Sequence, residues 1–118
     1  MFRVKVSAII IFFAIAAAGC FRSGASEPYS VVKSKDYDAA LFRQNCSICH
    51  GLEGNGKTLQ DGTVVPSLRA GEHKFKTEAE IYNQVANGGN GMTPFRSQLS
   101  DREIRMLVGL VHNKLRNQ

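Results

Sequence analysis

The sequence predicts an all-α domain of three to five short helices joined by long loops, with no sheet assigned. Three observations lead there. Two segments, Thr77-Glu78-Ala79-Glu80 and Ser100-Asp101-Arg102-Glu103, carry the reciprocal Ser/Thr-x-x-Glu pattern of a capping box. Apolar residues follow each of them at helical spacing. The chain has 118 residues, enough for one domain and not comfortably for two.

The first helix is expected over 36–45, where Tyr37, Ala40 and Leu41 recur at helical spacing with Phe42 beside them. Gly51, Gly54 and Gly56 then make a segment too glycine-rich for a helix interior. A loop continues through Asp61-Gly62 to an extended segment over 64–68. The helix opened by Thr77 presents Ile81, Tyr82 and Val85, and Asn87-Gly88-Gly89 stops it. A loop with Met92-Thr93-Pro94-Phe95 follows. Leu99 and Ile104 are placed to staple the last helix, whose stripe is Ile104, Leu107, Val108, Val111 and Leu115. Helices this short bury little apolar surface on their own. A large planar apolar cofactor at the centre would supply the missing core.

The first twenty residues have another character. Arg3 and Lys5 precede an apolar run over 6–18 and then small residues, which is the form of a secretory signal. The run is shorter than the roughly 20 residues that span a hydrocarbon core, so export is favoured over a retained membrane helix. Ala17-Ala18-Gly19-Cys20 resembles the bacterial lipobox without its usual leucine, which points to a lipidated Cys20. Ordinary cleavage after Ala18 is the alternative. The expected organisation is a lipoprotein-type signal over 1–19, a tether over 20–35 and one domain over 36–118. Without Arg3 and Lys5, 13 of the 15 basic residues face 10 acidic ones. The basic residues are scattered and lack interleaved aromatics, so a nucleic-acid partner has no support.

Two of the 3 cysteines lie in Cys46-Ser47-Ile48-Cys49-His50. Cys-x-x-Cys-His is the attachment signature of haem c. Both thiols add to vinyl groups of the ring, and the adjacent histidine is directed under the iron as the proximal ligand. A thioredoxin-like redox pair would need a βαβ context, and a zinc site another pair of ligands at matching spacing. Neither accompanies the motif. The distal ligand has four candidates: Met92, Met106, His73 and His112. Met106 falls about 200° round the helix from Ile104, on the side away from the stripe. His112 lies at the stripe's edge, and His73 sits in a polar run where a solvated side chain is expected. Met92 lies in a Gly/Pro loop that can aim a thioether at iron, and it is the favoured ligand.

The sequence resembles the class I c-type cytochromes over about residues 36–116. The resemblance rests on Leu41-Phe42, the haem motif with Gly51, Pro66-Ser67-Leu68, Asn87-Gly88 before Met92-Thr93-Pro94-Phe95, and Leu99-Ser100-Asp101. It implies a cytochrome c fold wrapped around one covalent haem, with the N- and C-terminal helices crossing. It further implies that Phe42 packs in that crossing, that the Pro66 carbonyl accepts from the proximal imidazole, that Phe95 lies beside the distal ligand, and that Met92 is that ligand. Two departures stand out: Asp38 replaces a frequent glycine, and an aromatic near Leu110 is missing. Both suggest a looser or shifted crossing.

One haem with two protein ligands leaves no coordination site for substrate, which favours one-electron transfer over catalysis. The expected protein is not an enzyme. It is a periplasmic or cell-surface electron carrier, tethered through Cys20, whose partners are redox proteins of a respiratory or other oxidoreductase chain. Two alternatives stay open at this point. One is a haem subunit fixed in a larger oxidoreductase. The other is a haem enzyme or gas sensor with a displaceable Met92.

Overall fold

The computed structural model describes residues 27–116. Helix α1 is Tyr37–Asn45 and α2 is Ser47–His50; strands β1 (Lys57–Thr58) and β2 (Val64–Val65) follow. Helix α3 is Glu78–Asn87, and α4 is Asp101–Gly109, running on as a π-helical turn over Leu110–Leu115. The all-α expectation holds, with one addition. The loop after the haem motif folds back so that Lys57 pairs with Val65 and Thr58 with Val64 in an antiparallel ladder. The Asp61-Gly62 turn closes it, Asp61 accepting from the Thr63 N–H at 2.9 Å.

Both capping boxes form. The Thr77 hydroxyl accepts from the Glu80 N–H while the Glu80 carboxylate accepts from the Thr77 N–H, and Ser100 and Glu103 repeat the exchange. Helix α4 packs on both α3 and α1, so the C-terminal helix is the spine of the core. Phe42, Ile104, Leu110 and Leu115 are each about fully buried, at 1% exposure. A Cβ built at Gly54 would lie 3.5 Å from the Phe42 ring and 3.1 Å from Leu115. The tip of Phe42 is therefore enclosed between the haem-motif loop and the last helix.

Leu110 was absent from the expected stripe. At α-helical period it falls about 140° from Leu115. In the π-helical turn, residues five apart share a face, and both leucines enter the core. The crossing also accommodates Asp38. Asp38 is 8% exposed, and its carboxylate accepts from the Ala39 N–H at 2.8 Å and pairs with Lys114 Nζ at 2.8 Å. Lys114 also holds Asp36 at 3.0 Å, so an ion pair bridges α1 and the last helix where a glycine would simply let them approach.

The domain boundary drawn at 36 moves toward the N-terminus. Val31 is 0% exposed in the core, and a strap over 29–35 is bound on several sides. Glu53 accepts from Ser30 Oγ at 2.6 Å, from the Val31 N–H at 2.7 Å and from the Val32 N–H at 3.1 Å. Arg43 donates to the carbonyls of Val31 and Ser34, and Arg69 to the carbonyl of Tyr29 and the carboxylate of Glu53. The second half of the expected tether thus belongs to the domain. The signal over 1–19 and Cys20 lie outside the described residues. Among the described residues, no helix is long and apolar enough to cross a membrane.

Candidate functional site

Helix α1 ends at Cys46, whose N–H donates to the Phe42 carbonyl, and a new turn starts there. The N–H of Cys49 and that of His50 both donate to the Cys46 carbonyl, at 3.2 and 2.9 Å. Residues three and four apart on such a turn face the same way, so Cys46, Cys49 and His50 share a side. Ser47 Oγ ties the turn to α1 through the Arg43 carbonyl at 2.7 Å. Gly51, at φ +80°, ends it, and the Gly56 N–H returns to the His50 carbonyl at 2.9 Å.

The two thiols are unpaired and differ in setting. Cys49 is exposed, while Cys46 is half-buried and its thiol is pushed up to about 12, chiefly by burial and further by Cys49. Burial also pushes the His50 imidazole below its ordinary range, which keeps it neutral at pH 7 as a metal ligand must be. His50 Nδ1 is buried without a hydrogen-bond partner. The expected bond to the Pro66 carbonyl is not formed. Instead the 65–67 backbone presses on Gly56, where a Cβ would meet Val65 O at 2.4 Å.

The distal candidate sits at the end of a tight hairpin. Gly89 and Met92 exchange both backbone hydrogen bonds, at 2.9 and 3.0 Å. Between them Asn90 and Gly91 have φ of +53° and +84°, the signature of a two-residue turn with both central residues left-handed. Gly88 lies so close that a Cβ there would meet Met92 O at 2.6 Å and Pro94 N at 2.7 Å. After the turn, Phe95 and Arg96 donate to the Val85 and Ala86 carbonyls at 3.0 and 3.1 Å, fastening the loop to α3. Met92 and Phe95 are half-buried against the core. Gln84, on the last turn of α3, points its amide at this loop: Nε2 lies 2.7 Å from the Gly89 carbonyl and 3.8 Å from Met92 Sδ. Sequence reasoning passed over Gln84 and the Asn90-Gly91 turn, although Asn-Gly is the strongest short-range hairpin signal.

The remaining candidates lie elsewhere. Met106 does not face open solvent: it is half-buried in a shallow groove with Tyr37, Ser100, Arg102 and Glu103. His112 Nδ1 is 3.6 Å from Glu78 and 2.9 Å from Asn113 Oδ1. His73 is half-buried rather than solvated, and its imidazole is held below the ordinary range by burial and then by Arg116. Among the described residues, no three His, Cys, Asp or Glu side chains group into a metal cluster.

The chain matches, over residues 38–111, the family model described as cytochrome c oxidase, cbb3-type, subunit III. It belongs to the cytochrome c family. Its cofactor is covalently bound haem c, and its chemistry is electron carriage. The cytochrome is 38% identical over 84 residues to cytochrome c6 of Gracilaria tenuistipitata var. liui, covering 70% of this chain and 76% of that one. It is 31% identical over 86 residues to the cytochrome bc1 complex cytochrome c subunit of Corynebacterium diphtheriae, covering 72% of this chain. The match spans only 27% of that longer subunit. Among solved structures, the KustC0563 c-type cytochrome superposes with a TM-score of 0.53 at 27% identity, covering 62% of this chain and 90% of that one.

The residues present fit the cofactor. Two thiols and a neutral imidazole share one turn, a thioether stands on a constrained loop, and His50 Nδ1 is already withdrawn from water. A ring-nitrogen proton on Nδ1 leaves the Nε2 lone pair available to a metal.

Proposed function

We propose that the chain is an exported one-electron carrier whose single haem c is joined through Cys46 and Cys49 and ligated by His50 and Met92. The observation that carries this reading is the Met92 loop. Its tight hairpin and its ties to α3 fix a thioether in a place where an ordinary core methionine would need no such constraint. The bound haem supplies an iron that alternates between ferrous and ferric states. The chain's part would be to hold that iron through His50 and Met92, exclude water and keep both side chains still. With the iron held by two side chains, no site would be left open for a substrate, which supports a carrier rather than an enzyme. A methionine ligand in place of a second histidine would raise the potential.

Met92→Ala is expected to abolish the far-red methionine-to-iron band of the ferric protein. The midpoint potential should fall by on the order of 0.1 V. High-spin ferric iron in the parent protein, with no such band, would remove Met92 from the ligand set.

Electron partners are redox proteins of a respiratory chain, and the location is the periplasm or cell surface. Lipidated Cys20 anchors the domain to a membrane. Because the strap over 29–35 is bound to the domain, the free tether shrinks to residues 20–28, roughly 30 Å when fully extended. Intact mass of the mature protein should show acyl chains on Cys20, and a mature product starting at Gly19 would refute the anchor.

The match to 27% of a longer bc1 subunit favours a second reading, in which the domain is a fixed relay within a larger oxidoreductase. Stoichiometric co-purification with a partner in detergent supports that reading, and elution of the chain alone supports the shuttle.

A further inference from the structure

We infer that Asn90 and Lys74 are positioning residues: they fix which end of the Gln84 amide faces the Met92 sulfur, and thereby how strongly that thioether donates to iron. The inference rests on Met92 as the distal ligand.

Three side chains form a relay with one polarity. Lys74 Nζ carries only protons, so the atom of Asn90 that it meets is the carbonyl oxygen, Oδ1, at 3.1 Å. That choice turns Asn90 Nδ2 toward Gln84, where it donates to Oε1 at 3.4 Å. With its oxygen so engaged, Gln84 presents Nε2 to the loop. One proton of Nε2 goes to the Gly89 carbonyl at 2.7 Å and the other points at Met92 Sδ at 3.8 Å. Every donor in the relay therefore points from the surface ammonium inward to the sulfur.

The two ends of a glutamine amide are nearly the same in shape and opposite in electrical sense. Reversed, Gln84 would set Oε1 against the Gly89 carbonyl and a lone pair against the sulfur. Asn90 opposes that reversal by donating to the oxygen. It does so from the centre of the hairpin turn, at φ +53°, two residues before Met92. An N–H directed at the sulfur draws electron density from it and weakens its donation. Ferric iron depends on that donation more than ferrous iron does, so the relay raises the midpoint potential. Lys74 and Asn90 are both exposed, and the electrical sense at the ligand is thus set from the protein surface.

The test uses the haem-loaded full chain and reads the midpoint potential and the far-red methionine-to-iron band. Asn90→Gly keeps the left-handed turn and removes only the side chain. It is expected to lower the midpoint and to let the band persist to higher pH than in the parent. Gln84→Leu should lower the midpoint at least as far, and adding Asn90→Gly or Lys74→Gln to it should produce no further shift. A parent protein without the band overturns the ligand assignment and the relay together. A parent with the band and an Asn90→Gly variant of unchanged midpoint overturns the relay alone. So does an Asn90→Gly shift that persists undiminished in the Gln84→Leu background.

Discussion

Gly56→Ala is expected to destabilise the haem-loaded protein by about 3 kcal/mol or more, while Gly62→Ala costs about 1 kcal/mol. Both glycines are left-handed, at φ +76° and +85°, so the conformational penalty is shared. They differ in what surrounds them. A Cβ at Gly56 would lie 2.4 Å from Val65 O, 2.7 Å from Pro66 C and 2.8 Å from Ser67 N, all backbone atoms that no side-chain rotation can move. A Cβ at Gly62 meets nothing within 4 Å. Because the Gly56 N–H also holds the His50 carbonyl, the same change should disturb the proximal ligand and shift the Soret band. Denaturant unfolding of the two variants side by side checks the prediction. Equal losses would mean that the close approach under the haem motif has no energetic consequence.

Glu53→Ala should remove about 3 kcal/mol at pH 7 and free the N-terminal strap. The carboxylate accepts three hydrogen bonds from residues 30–32 and pairs with Arg69 at 2.9 Å. Burial works against its ionisation, but the bonds from Ser30, Val31 and Val32 and the nearby guanidinium outweigh it and hold the carboxyl below its ordinary 4.5. A depressed carboxylate stabilises the fold above the unfolded value and loses that contribution as pH falls through the folded one. The parent should therefore release its strap below about pH 4.5, and the gap between parent and variant should close there. Hydrogen exchange at the Val31 and Val32 amides reads this directly. A gap that stays constant down to pH 3 would show that the carboxylate charge is not what holds the strap.

The strap also illustrates why part of the fold was illegible. Residues 20–35 read as linker because they include Ser, Gly, Glu and Pro, and composition reports only on local preference. What orders 29–35 is a set of partners distant in sequence, Arg43, Glu53 and Arg69, together with a core cavity that accepts Val31. The same reason hid Leu110. It opens a turn of changed helical pitch, which a fixed α period does not register. Gln84 was hidden differently: a polar residue on the last turn of a helix looks solvated until the following loop folds back over it.

The sequence by itself determined what depends on neighbours along the chain. Two capping boxes start their helices because each needs only the N-cap and the residue three further on. The spacing of Cys46, Cys49 and His50 places three groups on one turn for the same reason. Tertiary structure decided the rest. It showed that Asp38 enters the helix crossing by pairing with Lys114, that Gly56 must be bare because β2 crosses it, and that His50 Nδ1 is buried without the Pro66 carbonyl. It also aimed the Gln84 amide at the sulfur of Met92. Each of these depends on where a distant segment comes to rest, and a hydrogen bond or a steric contact across such a distance leaves no periodic trace in the chain.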